Sequence, residues 1–320
     1  LSDKSVEYPR FLGFCINVYN WADHTVNSYD TTYVVGTGRR WKARINSDNW
    51  WDSYYLNIGR DMPIRMMSDP YCNVGAYLQY MAVSVGYSLD MNNIIGNKPV
   101  NHKKFELSFN CARFNIEAHY WENTGNTFIR TFGNYNKGHF IKKEFTGAKQ
   151  KTIGINGYYF FNNRKFSMGA AYNFSKFQKR SAGSAIIGFN YTNTDINMNL
   201  MVLPEELKPY LKRPPENYRF HYNSYCLMSG YSYNWVWNRH FLFNISAFPG
   251  AGYTHTYEDS VEKSHKLFAL TLKGQSSITY NLGDFFICGV ARLDGNWYNS
   301  GSYSFLSATE NAQLSVGVRF

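Results

Sequence analysis

Charge is scarce in this sequence. Asp, Glu, Lys and Arg make up 18% of its 320 residues, against roughly 25% in an ordinary globular protein. Leucine is scarce as well, with 19 residues against 27 tyrosines, although leucine normally heads residue usage. Apolar runs stay short. None approaches the ~18 residues a membrane-spanning helix needs, and the mean hydropathy of -0.44 agrees. The five cysteines (Cys15, Cys72, Cys111, Cys226, Cys288) are odd in number and follow no ligand spacing, so neither a disulfide framework nor a zinc site organises the chain. No metal and no cofactor is expected. Aromatics, by contrast, reach 18%, which excludes a disordered chain. What remains is an all-β protein with an aromatic surplus.

The formal net charge of +10, from 33 basic and 23 acidic residues, fits nucleic acid, anionic lipid headgroups or an anion-attracting channel. Nucleic-acid readers carry a clustered basic patch or a recognisable motif. Here the basic groups are dispersed, the densest being Arg39-Arg40, Lys142-Lys143 and Lys208 to Arg213. No nucleic-acid partner is expected.

Period-two alternation recurs after about residue 70. Val83, Val85, Tyr87 and Leu89 alternate with Ala82, Ser84, Gly86 and Ser88, and Phe114, Ile116, Ala118 and Tyr120 with Asn115, Glu117, His119 and Trp121. Phe166, Met168, Ala170, Tyr172 and Phe174 continue the pattern. One face is large and apolar, the other small or polar. A soluble sandwich would bury the large face; a transmembrane barrel turns it to lipid. Three features favour the barrel. The opposite face is rich in Gly, Ser and Asn rather than Lys and Glu, several alternating runs exceed sandwich length, and strand ends carry the Trp and Tyr of interfacial girdles.

Short turns and long polar connections alternate along the chain, as outer-membrane barrels require. Short turns are expected near 79–80, 111–112, 162–164, 192–194, 238–239 and 283–284, and long loops at 61–70, 91–102, 122–148, 175–181, 204–217, 258–263 and 299–302. The count is about fourteen antiparallel strands, with twelve as the alternative. Seven of the nine prolines fall in or beside the long loops, where no ladder bond is lost. Pro249 lies inside a strand and suggests a bulge. The last strand alternates Leu314, Val316, Val318 and Phe320 and stops on the aromatic, which resembles the signal read by barrel-insertion machinery. Residues 1–48 differ from the rest and are expected to form a plug or periplasmic segment, with residues 49–320 as the barrel. The chain is thereby expected in the outer membrane of a Gram-negative bacterium. Its expected partners are outer-membrane lipid, lipopolysaccharide, the insertion machinery and other envelope proteins or lipoproteins.

The element Tyr29-Asp30-Thr31-Thr32-Tyr33-Val34, followed by alternating Tyr/Gly/Ser strands and an aromatic C-terminus, resembles a family of Bacteroidota outer-membrane proteins, domain-of-unknown-function family 4421. The resemblance implies an outer-membrane location and brings no catalytic residues with it.

Chemistry is sparse. None of the eight histidines sits in a ligand cluster. Glu117 and His119 share one strand face, Arg292 and Asp294 another, and with Glu106 and Lys273 they would make a charged belt if those faces point inward. Such a belt either selects a solute or forms ion pairs that fill and stiffen the lumen. His255, Glu258, Asp259, Ser260 and Glu262 are the nearest approach to a hydrolytic constellation, and an enzyme is not expected. Trp235, Trp237 and Tyr280 should mark one girdle, Tyr257 and Trp297 the other, with Phe320 the insertion signal. A channel for small solutes, closed by the N-terminal segment, is the first functional reading. A structural or accessory subunit of an envelope complex is the alternative, favoured if Tyr158, Phe160, Tyr225 or Tyr231 packs the lumen.

Overall fold

The computed structural model describes residues 28–59, 62–80, 83–96, 102–125, 127–261, 266–299 and 303–320, together with Pro9, Gly13 and Phe14. Its strands are β1 (Val34–Gly36), β2 (Trp41–Ile58), β3 (Met62–Ser68), β4 (Tyr71–Tyr80), β5 (Val83–Asp90), β6 (His102–Asn110), β7 (Phe114–Asn123), β8 (Thr127–Phe132), β9 (Lys143–Phe145), β10 (Ala148–Phe160), β11 (Lys176–Gln178), β12 (Ala182–Asn199), β13 (Asn217–Val236), β14 (Phe241–Thr256), β15 (Lys266–Leu282), β16 (Phe285–Asn299) and β17 (Tyr303–Arg319). β1 and β11 pair with each other; the other fifteen form one antiparallel sheet.

Chain continuity joins the fifteen segments into twelve runs. β3 and β4 follow β2 as one long strand broken at Asp69-Pro70, where the register slips from Ser53↔Met67 to Trp50↔Tyr71. Proline has no N–H to give to a ladder, so the slip falls where a bond would be missing anyway. β7 and β8 likewise form one run beside β9 and β10, passing from Asn123↔Gln150 to Thr127↔Phe145. β17 pairs with β2 along its whole length, and β3 pairs with β8, which closes the sheet on itself. Nearer the termini, β5 extends the sheet from β4, and β6 from β7. The C-terminus and the connections at 111–113, 161–181, 237–240 and 283–284 lie at one end of the wall, here the turn end. The other end, the loop end, carries among others 91–96, 133–142, 200–216 and 257–261.

The count of fourteen is thus corrected to its alternative, twelve, for two reasons. Phe166–Phe174 alternates like a strand but is not one: it contains a single π-helical turn, Gly169–Asn173. Thr192–Thr194 is no turn but the middle of β12, an 18-residue strand. The domain boundary also moves. β2 begins at Trp41, so the wall takes up residues 41–48 that the sequence reading assigned to the N-terminal segment.

Alternation decides which side of the wall each residue occupies. Ile187, Phe189, Leu227, Phe243, Ile245, Ile278, Ile287, Leu314 and Val316 face out and are exposed, whereas Ser184, Asn190, Thr192, Ser224, Ser232, Asn244, Thr279 and Ser315 face in and are buried. This is the reverse of a soluble protein and suits a lipid surround. Aromatic rings edge the apolar band. Toward the loop end, Tyr225 packs between Tyr191 and Tyr253, its ring centroid 5.1 and 5.2 Å from theirs. Toward the turn end, Trp235 lies 5.4 Å from Phe243, and Tyr280 lies 4.7 Å from Phe241. Trp237 stands just beyond, 90% exposed. Trp297 and Tyr257 are at the opposite edge, the Trp297 Nε1 donating to Ser304 Oγ at 2.9 Å.

Pro249 makes no bulge. It pairs with Leu272 of β15 and interrupts the ladder to β13 between Met228↔Gly250 and Tyr231↔Ala247, with the register unchanged on either side. Gly230 lies opposite the gap, and a Cβ there would stand 2.0 Å from the Ala247 carbonyl oxygen. Gly230→Val should therefore cost about 2–4 kcal/mol or prevent folding, while Pro249→Ala should change stability by at most about 1 kcal/mol. The folded fraction, read as heat-modifiable gel migration across a urea series, checks both.

Candidate functional site: the filled lumen

Three layers fill the interior. At the loop end the inward side chains are apolar: Leu56, Ile64, Phe132, Phe145, Met198, Leu203, Leu207, Phe220 and Phe305 belong to one buried cluster. Phe220 and Phe305 stack at 4.5 Å. The wall has here passed beyond the lipid-facing band, and its inner surface serves as an ordinary hydrophobic core.

At the turn end, residues 161–181 fold back into the barrel. Phe166 and Met168 pack on Tyr158, Phe160 and Phe248, and Phe174 packs on Phe286 with ring centroids 4.7 Å apart. Small residues at Gly169, Ala170 and Ala171 let the backbone of the turn lie close to the wall, where both alanines meet Leu242. Hydrogen bonds hold the insert from several directions. Asn234 of β13 donates to the Ser167 carbonyl and to Gln178 Oε1, both at 3.0 Å. Tyr172 donates to Asn244 of β14 at 2.6 Å. Arg319 of β17 donates to the Phe174 carbonyl at 2.9 Å, and Lys42 of β2 donates to the Asn173 carbonyl. These partners stand on far-separated strands of the sheet, so the insert spans the lumen.

Residues 28–36 pack on this insert. β1 pairs with β11, Asp30 N–H donates to the Arg164 carbonyl at 2.8 Å, and Tyr29 OH meets Ser167 Oγ at 3.4 Å. Burial pushes the Tyr29 hydroxyl up to about 12. The Thr32 hydroxyl and N–H donate to Asp30 and hold its carboxyl below the usual range. Arg39 pairs with Asp284 across the turn end at 2.7 Å and lowers that carboxyl likewise. Residues 1–27, apart from Pro9, Gly13 and Phe14, lie outside the described residues, and with them half of the expected N-terminal plug.

Between the two apolar layers lies the charged belt. All six residues singled out from the sequence face inward. Glu106 is bridged by Lys104 at 3.2 Å and Arg292 at 3.7 Å. Lys273 pairs with Asp294. Glu117 accepts from Asn115 at 2.7 Å. His119 stacks on Trp121 at 4.5 Å, in room that the missing side chain of Gly154 leaves free. The structure adds three charges that sequence reasoning missed. Lys104 binds Asp48 at 3.3 Å, and buried Asp52 accepts from Asn123 at 2.5 Å and Thr309 at 2.7 Å. Lys104 shares a strand face with Glu106 and was open to discovery on that ground. Asp48 was hidden by the misplaced start of the wall, and Asp52 lay in its expected first strand without an alternating pattern to orient it. Beside them Trp50, Asp52, Lys104, Trp121, Asn123, Gln150 and Thr309 line a cavity with room for about one water. Tyr158 and Phe160 pack inside, while Tyr231 faces out with Tyr225.

The hydrolytic candidates do not converge. Ser260 Oγ donates to the Arg219 carbonyl at 3.2 Å, and Asp259 is taken by Arg219 at 2.6 Å and by His221 Nδ1 at 2.9 Å. Glu262 lies outside the described residues.

An antiparallel wall curled on itself, apolar outside, polar inside and edged with aromatics, is a transmembrane β-barrel of the outer-membrane type, and its place is the outer membrane of a Gram-negative bacterium. The chain belongs to the family described as Domain of unknown function (DUF4421), whose model matches residues 28–320. No curated protein matches it. Among solved structures it is similar to the outer membrane protease OmpT from Escherichia coli, with 7% identity, TM-score 0.34 and coverage of 89% of this chain and 98% of that one. It is also similar to the translocator domain of the autotransporter NalP from Neisseria meningitidis, with 9% identity, TM-score 0.33 and coverage of 97% and 95%. A third is the TodX monoaromatic hydrocarbon channel, with 7% identity, TM-score 0.30 and coverage of 88% and 91%.

Removing both Asn234 and Asn244 side chains takes away three bonds to the insert at a cost of about 2 kcal/mol, a rise of roughly 30-fold in its release from the wall. Trypsin should then cut at Lys165, Lys176 or Lys179 in detergent at least tenfold faster than in the wild type, with the heat-modifiable barrel retained.

Proposed function

We propose that the protein is a non-conducting barrel that acts as a structural or accessory, non-enzymatic subunit in the outer membrane. One observation carries this reading: the lumen is filled across both ends, by the loop-end cluster and by the insert 161–181, and between them Glu106, Lys104, Arg292, Asp48, Lys273 and Asp294 are paired with one another. A belt that neutralises itself leaves little unbalanced field for a passing solute. The turn end, carrying most of the short connections, faces the periplasm in this reading. Residues 28–36 and the insert then offer a surface to periplasmic or lipid-anchored envelope proteins. Phe320 is exposed and backbone-paired with Trp41 at 2.9 Å.

A gated channel for small solutes is the second reading. It is supported by the way the insert is held, through hydrogen bonds and ring packing that release without breaking the wall. The gate would then be residues 161–181 rather than the N-terminal segment.

Planar-bilayer recording of the full chain separates the two. The wild type is expected to be silent at moderate voltage, and the Asn234→Ala/Asn244→Ala variant to show pores. Steady wild-type conductance, or reversible opening by voltage or a solute, would overturn the accessory role in favour of the channel.

A further inference from the structure

The lipid-facing surface is not apolar everywhere. On β2 and β17 the outward residues include Ser47, Asn49, Trp51, Ser53 and Glu310, none of them a lipid-seeking aliphatic. Their direction follows from strand parity. Thr309 and Asp52 turn inward and bond each other at 2.7 Å, so Glu310, Trp51 and Ser53 turn outward. Ser53 donates to Glu310 Oε2 at 3.0 Å, and Asn49 donates to Ser47 Oγ at 3.2 Å. Among the described residues no basic group pairs with the Glu310 carboxylate, and Ser53 is its side-chain donor.

Depth follows from the register. Trp297, Leu306, Tyr55 and Arg65 form one cross-strand row, and the Arg65 guanidinium lies 5.8 Å over the Tyr55 ring. An aromatic-and-arginine row marks the membrane surface. Glu310 is four residues below Leu306, which at about 3.3 Å per residue and a tilt of about 40° puts it about 10 Å under that rim. Asn49 lies six residues below Tyr55. Both are thus inside a hydrocarbon band about 25 Å tall, where an ionisable or amide group facing lipid costs several kcal/mol. Small residues surround them: Ala291, Ala312, Asn49 and Cys72 make one row, and Ala308 and Gly295 pair in another. Small outward residues also occur on β14 and β15 (Ala247, Ala251, Gly274), but no carboxylate stands among them.

We infer that this face of β16, β17 and β2 is an intramembrane interface between two copies of this chain. The patch is self-complementary. The Trp51 indole is a donor at the depth of the Glu310 acceptor, its cross-strand partner, and a two-fold axis along the membrane normal keeps depth unchanged. Each Glu310 then meets the other copy's indole instead of lipid. The alanines and glycines leave the wall flat enough for backbones to approach, as small residues do between membrane segments. The inference is independent of whether the lumen conducts.

Cys72, half-exposed on the same face, supplies a native probe. A short bis-thiol crosslinker applied to outer membranes holding the full chain should give a covalent dimer, and Cys72→Ser should abolish it. Purified protein in neutrally buoyant detergent should sediment as a dimer. Ala312→Trp, harmless on a lipid-facing wall, should give a folded, heat-modifiable monomer. Glu310→Leu should weaken the dimer roughly tenfold, and Glu310→Gln, which keeps an acceptor, should weaken it less. A wild-type monomer at every protein-to-detergent ratio would overturn the inference. So would a dimer indifferent to Ala312→Trp, or a Cys72 crosslink to a protein of another size, which would assign the face to a different partner.

Discussion

Everything in this molecule depends on one requirement: in hydrocarbon, each backbone N–H and carbonyl must find its partner within the protein. A sheet approaches that requirement by curling until its sides pair: β17 meets β2 along 17 residue pairs from Lys42↔Arg319 to Ile58↔Tyr303, and β3 meets β8 at the loop end. The two interrupted strands serve the same end. A one-residue slip between β3 and β4, and another between β7 and β8, let long runs stay in register while β3 and β8 join across the loop end. Pro249 is tolerated in mid-band because the Ala247 carbonyl closes onto Gly230, so the missing N–H opens no gap to lipid.

Closure creates the second problem, the interior. Side chains alone fill a barrel of about eight strands, and this wall has ten long runs. The chain answers differently at each level. Beyond the lipid band the inner face is apolar and forms a core of its own. Within the band it is polar, and its charges neutralise one another across the lumen, Glu106 against Lys104 and Arg292, Lys273 against Asp294. A buried carboxylate left alone there would be far more costly than one so paired. At the turn end the missing volume comes from the chain itself, as the insert 161–181. That insert is anchored by inward residues of β2, β13, β14 and β17, so it braces opposite sides of the wall as well as filling it.

Strand parity was legible in the sequence because it is a local property. Glu117 with His119, and Arg292 with Asp294, could be assigned to one face without knowing the fold, and the inward placement of all six belt residues follows from that. Partner choice was not legible. Nothing near Lys104 points to Asp48, 56 residues away, because that pair depends on β2 and β6 facing each other across a closed ring. The strand count failed where local and tertiary signals diverge. Phe166, Met168, Ala170, Tyr172 and Phe174 carry a period of two, yet the segment binds the wall by side chains and turns at Gly169–Asn173. Thr192–Asn193–Thr194 reads as a turn by composition, while its residues pair with Tyr222, Asn223 and Ser224 in mid-strand.

The element that carries the resemblance, Tyr29–Val34, touches the insert. Asp30 bonds Arg164, β1 pairs with β11, and the Lys165 and Arg180 side chains lie over the Tyr33 ring at 5.2 and 5.7 Å. The sequence placed an N-terminal closure at this end of the barrel, and the structure distributes the task. The insert does the filling, and residues 28–36 fix it from outside through a two-stranded sheet that neither segment could form alone. The same parity argument that located the lumen also bears on the outer surface. Along β17, Leu306, Ala308, Glu310, Ala312, Leu314 and Val316 share one side, and a single carboxylate interrupts an otherwise apolar series. A position that parity gives to lipid and chemistry gives to water is stable only if something else stands there, and on this wall the donors at matching depth belong to the chain itself.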